Sequence, residues 1–289
     1  MTDHAKGLLI TTLGVLFVVP DSLFVRLIEA EPIVIAFWRG LTTGAIILGV
    51  LLAAQGTAGF RAVARGGWPA AVYVGLIGFT SPGFVLAVGN TSVANVVFIF
   101  AAMPVFSAVF ARVFLGEPIG RRVILTMAVV IAGLGIIAYG SSENAVASWR
   151  GDIIAVMVCA AYAGALTAVR RLRAISMIPA IPIAYLLSAV MILPFIAPSG
   201  PVAAQWPLLL GHGAFIAAAT SLLTLGARYI SPPEVALLIL LESVLAPLLV
   251  WAAVGENPGR WAMLGGAVVL SALLVSHLVA LRRRRRAPV

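Results

Sequence analysis

The sequence predicts an all-α integral membrane protein of about ten transmembrane helices, arranged as two inverted five-helix repeats around a central cavity. Three observations lead there. First, 62% of the 289 residues are hydrophobic and 10% are charged, with a mean hydropathy of +1.12; an ordinary soluble domain is about 45–50% apolar and about 25% charged. Second, the apolar residues come in successive blocks of about 20, the length that carries an α-helix across about 30 Å of hydrocarbon at about 1.5 Å per residue. Third, the second half of the chain repeats features of the first at a constant offset of 139 residues.

The blocks run approximately over residues 7–28, 32–54, 68–88, 92–115, 121–140, 151–169, 178–197, 207–227, 233–254 and 260–281. The first follows a single lysine, Lys6, and is too long for a signal peptide without a small-residue cleavage site, so it is expected to remain as a span. Pro20-Asp21 stands in its middle. The second block carries Trp38-Arg39, the third Pro82, and the fourth Asn95 and Pro104. The fifth opens on Arg121-Arg122, and the sixth holds the single Cys159. One cysteine excludes an intramolecular disulfide and a cysteine metal site, and Cys159 is expected to be a small packing residue. The seventh contains Pro194, the eighth His212, the ninth Glu242-Ser243 and Pro247, and the tenth His277 before the tail LRRRRRAPV. Period-2 alternation in segments of about 10 residues is absent, which excludes a β-barrel.

The charged residues give an orientation. With the N-terminus inside, the cytoplasmic side collects Lys6, Arg61, Arg65, Arg112, Arg121, Arg122, Arg170, Arg171, Arg173, Arg228 and Arg282 to Arg286. The outer side keeps Arg150, Arg260 and Arg26. This is the positive-inside asymmetry, and it predicts that both termini are cytoplasmic. The basic tail is expected to act as a stop and lipid-headgroup anchor. Despite a formal charge of +9, nucleic acid is not an expected partner, because the arginines carry no aromatic interleaving and no soluble domain.

At the 139-residue offset, Gly116-Glu117 falls on Gly255-Glu256 and Gly120-Arg121 on Gly259-Arg260, each ending one span and opening the next. Two halves follow, residues 1–140 and residues 141–289 with the basic cytoplasmic tail. About five spans per half is an odd number, so the repeats must be inserted with opposite topology. Inverted repeats of this kind build many secondary transporters, with the substrate site near the midplane between the halves.

The stretches EPIVIAFWRG, ANVVFIFAAMPVFSAVFARVFLGEPIGRR and ALLILLESVLAPLLVWAAVGENPG resemble the repeats of the drug/metabolite transporter superfamily, specifically its EamA branch. The resemblance covers nearly the whole chain as two EamA-like halves. It implies a ten-helix carrier of the bacterial-type inner membrane that moves a small metabolite or drug by alternating access, with export as the expected direction. Family members often show Glu-Pro where this chain has Glu242-Ser243, the proline here standing at Pro247. No cofactor is expected, and the expected partners are a small-molecule substrate, the lipid bilayer and protons, for a monomer or homodimer.

Ionisable residues inside spans are the first candidates for chemistry, since each costs at least about 2.5–3.5 kcal/mol at the bilayer centre. Asp21 and Arg39 lie at similar depths, roughly 10 Å from the outer ends of neighbouring spans at 1.5 Å per residue, so antiparallel packing brings them together. The pair reads either as a structural pin, or as a cavity-facing fork for a substrate carboxylate with Asp21 as counter-ion or coupling site. Glu242 has no charged counterpart in the first half, where Met103-Pro104 occupy that level. It is a candidate proton-coupling group, or else a carboxylate bonded to a neighbouring helix. Glu117 and Glu256, beside Pro118 and Pro258, read as cap residues near helix N-termini.

Pro20, Pro82, Pro104, Pro194 and Pro247 each remove a backbone donor inside a span, so they are candidate hinges and mark faces turned to protein or a wet cavity. Asn90, Asn95 and Ser243 offer hydrogen bonds to a substrate or between helices. Trp38 and Tyr162 offer aromatic walls. Gly40 and Gly44, Gly133 and Gly135, and Gly265-Gly266 are expected to allow close helix contact. His212 and His277 stand isolated in separate spans, and no metal-ligand spacing is present. The competing functions are an integral-membrane enzyme, for which HExxH, GxSxG or a paired-carboxylate site is absent, and a channel, for which rings of one polar residue are absent.

Overall fold

The computed structural model describes residues 2–141, 147–172, 175–197, 202–226, 229–230 and 232–286. Arg173 and Arg228, assigned above to the basic side, lie outside the described residues, as do the side chains of Arg282 to Arg286. The described residues form helices joined by short turns, without a strand. Helices α1 (Asp3–Val18) and α2 (Asp21–Leu27) form one crossing, followed by α3 (Pro32–Gln55), a short α4 (Ala58–Arg65) and α5 (Gly67–Asn90). The fourth crossing is α6 (Val93–Ala101) with α7 (Met103–Leu115), and then come α8 (Arg121–Gly140) and α9 (Trp149–Arg171). After α10 (Ala180–Ile192), which ends in a 3-10 turn (Leu193–Phe195), the chain continues through α11 (Val202–Gly226), α12 (Pro232–Val254) and α13 (Arg260–Arg286). Among the described residues nine crossings are long and apolar enough to span a bilayer, and Ala180–Phe195 is a shorter apolar tenth.

The prolines divide into two groups. The regular helix is interrupted at Pro20, the N-cap of α2 with ψ −3°, and again at Ala102, ψ 0°, just before Pro104 in the first turn of α7, positions at which a proline's missing N–H costs little. Pro194 sits in the 3-10 turn that closes α10. Pro82 and Pro247, by contrast, lie inside the uninterrupted α5 and α12. The segment between α3 and α5 contains a helix that the apolar blocks do not report: α4 buries Val63 and leaves Arg61 and Arg65 exposed, an amphipathic pattern suited to the headgroup boundary.

Small residues set the closest helix contacts. A Cβ on Gly40 would stand 3.0 Å from the Tyr185 carbonyl and one on Gly44 2.7 Å from Leu186, so α3 lies directly on α10. A Cβ on Gly265 would stand 2.6 Å from the Gly133 carbonyl, which brings α8 and α13 together. Gly135 departs from expectation: nothing lies within 4 Å of a Cβ there, so it faces outward and packs against no helix. The largest core cluster joins α1, α2, α3, α5, α6, α9, α10, α11 and α12, with Ala36, Val85, Val88, Val96 and Cys159 at its dry centre. Large apolar side chains such as Val113 and Leu125 are two-thirds exposed, a surface that hydrocarbon covers at no cost.

Candidate functional site

The break at Pro20 makes Asp21 the first residue of α2 and turns its carboxylate into the bundle. Arg39, from the second turn of α3, meets it in a two-pronged contact, Nε to Oδ1 at 3.0 Å and Nη2 to Oδ2 at 2.7 Å. The planar fork thus satisfies both carboxylate oxygens at once. Its third nitrogen, Nη1, donates to Ser81 Oγ on α5 at 3.2 Å. The guanidinium also lies 5.5 Å from the Phe84 ring and 5.8 Å from the Tyr185 ring of α10. His212 is not isolated in space: from α11 its Nε2 approaches Asp21 Oδ1 at 2.5 Å, and its ring stacks on Phe24 at 5.2 Å. Five elements therefore converge on one ion cluster. Asp21 and Arg39 are 5% exposed and His212 is fully buried.

Of the other candidates, Glu242 on α12 is half-buried and makes no hydrogen bond or ion pair among the described residues, within electrostatic reach of Asp21 and Tyr162. Ser243, beside it, donates to the Val97 carbonyl at 3.4 Å. Trp38 packs edge-on against Phe37, and its indole Nε1 is buried with no acceptor among the described residues. Asn95 belongs to a separate network at one end of the bundle. Its amide donates to Ser141 Oγ at 2.8 Å and to Asp152 Oδ1 at 3.0 Å. Asp152 also accepts from Thr91 Oγ1 at 2.7 Å and from the Ser141 hydroxyl. Sequence reading missed Asp152, whose place at the start of an apolar span resembles an ordinary helix-end acid. Asn90 turns back on its own helix, to the Leu86 carbonyl.

Glu117 does not cap α8, whereas Glu256 does cap a helix N-terminus, that of α6 rather than that of the helix it precedes. Each follows a glycine in the left-handed region, Gly116 at φ 71° and Gly255 at φ 73°, which ends its helix and aims the next residue across the bundle. Glu256 takes Arg26 Nε at 2.6 Å and the Val93 N–H at 2.8 Å, while Arg26 also donates to the Thr91 carbonyl at 2.8 Å. Glu117 takes Arg170 Nη2 at 2.6 Å. Arg26 and Arg170 are the penultimate residues of the spans Asp3–Leu27 and Trp149–Arg171. So the matched glutamate of each half reaches the end of the first span of the other half.

The two pairs lie at opposite ends of the bundle. Asp152, in the first turn of α9, bonds Thr91, whose carbonyl holds Arg26, so α9 starts at the end where Arg26 sits. Arg170 comes near the end of α9, about 27 Å away at 1.5 Å per residue. The end bearing the N-terminus, here the near end, carries the exposed pair Glu117–Arg170, each side chain 42% exposed. The far end carries Glu256–Arg26, at 8% and 19%, beside the buried Asp152 network.

The EamA-like transporter family model matches residues 5–139 and again residues 149–278. The chain belongs to the EamA-like transporter family. The two EamA-like matches cover nearly all of it, and they bear out the resemblance and the all-helical membrane fold of about ten helices read from the sequence. A solved structure titled "Crystal structure of protein" is 18% identical, with a TM-score of 0.66, covering 98% of this chain and 100% of that one, a likeness of fold. No curated protein matches the chain. An EamA-like protein is an integral membrane transporter and not one of a family of enzymes, and its substrate is a small molecule.

Proposed function

We propose that this EamA-like protein exports a small metabolite or drug across a bacterial-type inner membrane by alternating access, with both termini cytoplasmic and residues 1–140 and 141–289 moving as inverted halves about a central cavity. One observation carries this reading: the crossed pairs Glu256–Arg26 and Glu117–Arg170, related by the duplication, tie the halves together at opposite ends. A carrier that opens to one side at a time needs one such tie to release while the other holds. Their unequal burial supports a resting state locked at the far end, since an exposed pair is worth at most about 1 kcal/mol whereas breaking a buried one costs several. The Asp21–Arg39–His212 cluster then pins α2, α3 and α11 beneath that lock, and among the unpartnered polar groups of the described residues Glu242 is assigned to meet a proton or substrate and the Trp38 indole a substrate.

Spin-label distances test the mechanism without knowledge of the substrate. In a Cys159→Ser background reconstituted in liposomes, labels on the exposed far-end residues Asn90 and Asn257 are expected to give one narrow distance in the wild type. Glu256→Gln is expected to add a population at longer distance, and Glu117→Gln is not. Identical narrow distributions in all three proteins defeat the alternating lock.

A further inference from the structure

We infer that the cleft between α7, α8 and α13 at the near end is a binding site for the phosphate headgroup of an anionic phospholipid. The cleft follows from how its walls pack. Helices α8 and α13 touch at Gly140 against Trp261 and at Gly133 against Gly265, where small residues let the backbones meet. Toward the near end Met127 and Leu273 take over, and beyond them the helices part around the side chains of Arg122, Thr126, Ser276 and His277. Pro104, Val105 and Ala108 of α7 close the inner wall. The result is apolar at its depth and polar at its mouth.

The polar groups of the mouth match an anion. Arg122 is half-buried and pairs with no carboxylate among the described residues. His277 is half-buried against the Leu273 backbone of the preceding turn and within electrostatic reach of Arg122, and Ser276 stands beside it on the cleft wall. Glycine at the N-cap of α8 offers no side-chain cap, so the first-turn amides beside Arg122 add their partial positive charge. No acidic residue lines the cleft.

Position selects a lipid as the source of that anion. The cleft lies apart from the Asp21–Arg39 cluster, on α8, one of the least buried crossings, whose neighbouring Ile124 and Leu125 are exposed to hydrocarbon. His277 stands five residues before the run Arg282 to Arg286, so the mouth is about 8 Å along the helix from the most basic stretch of the sequence. Basic pockets between transmembrane helices at this level suit lipid phosphates, with the acyl chains running down the apolar wall.

The full-length protein in detergent, titrated with phosphatidylglycerol, phosphatidylcholine of the same chains and inorganic phosphate, tests the site by native mass spectrometry and thermal shift. Phosphatidylglycerol is expected to be retained and to stabilise the protein above the other two. Arg122→Gln is expected to weaken its retention at least about fivefold, the factor one basic group supplies near an anionic surface, and His277→Gln to weaken it less, as loss of a hydrogen-bonding ring, while Arg121→Gln, one residue outside the cleft, leaves it unchanged. Ala108→Phe, which fills the wall without touching a charge, is expected to weaken it too. Equal retention of the two lipids, equal protection by inorganic phosphate, or equal losses for Arg121→Gln and Arg122→Gln overturns the proposal.

Discussion

Asp21 carries four elements on one carboxylate: its own helix, the Arg39 fork, the His212 ring and, through Arg39, Ser81 of α5. A buried ion pair contributes little net stability against an apolar replacement, but removing one partner strands the other. Arg39→Ala is therefore expected to lower stability by about 3–5 kcal/mol, seen as a large fall in the thermal midpoint and in the monodisperse yield. His212→Gln, which leaves the fork intact, should cost about 1–3 kcal/mol. Similar losses for the two variants would mean that the histidine bears as much of the site as the arginine. The pairing of Asp21 with Arg39 was legible because depth along adjacent antiparallel spans can be counted. The third member was not, since His212 lies 191 residues away from Asp21 and no local spacing reports a neighbour from the other half of the chain.

At the scale of elements, the sequence shows where prolines and glycines fall but not which way they face. Pro20 and Pro104 coincide with helix breaks, yet Pro82 and Pro247 sit inside helices that continue through them. Glycines divide likewise. Gly265→Val would push a side chain into the Gly133 carbonyl and Ile137, both under 3 Å from its Cβ, and is expected to cost about 1–3 kcal/mol by forcing α8 and α13 apart. Gly135→Ala, pointing into open space on α8, should instead be neutral or raise stability by about 0.5–1 kcal/mol, because alanine is the better helix former. Thermal unfolding of both variants in one detergent checks the contrast, and equal destabilisation would place the α8–α13 contact elsewhere. The same blindness explains why Glu117 and Glu256 read as caps: the Gly-Glu repeat is local, whereas the arginine each one binds belongs to the opposite half.

For the whole molecule, duplication and the odd number of spans per half made the inverted architecture readable, because topology follows from counting. Which of the two pairs is buried was not readable, since burial of Glu256 and exposure of Glu117 arise from packing that the matched sequences do not encode. The charge balance of the interior is also a property of the whole. Asp21 and Arg39 cancel, Asp152 is held by three donors, and Glu242 alone among the carboxylates singled out inside the bundle has no partner among the described residues. A lone carboxylate in the membrane interior is costly unless water reaches it or a proton neutralises it. In the proposed mechanism, a change of locked end would bring that group to water from alternate sides and let it collect a proton from one compartment and release it to the other. Transport of a ligand found by thermal-shift screening is thus expected to follow an imposed pH gradient in proteoliposomes, and Glu242→Gln should abolish that dependence while leaving the ligand's thermal shift in place. If Glu242→Gln flux still tracks the gradient, another group couples transport and Glu242 serves the substrate alone.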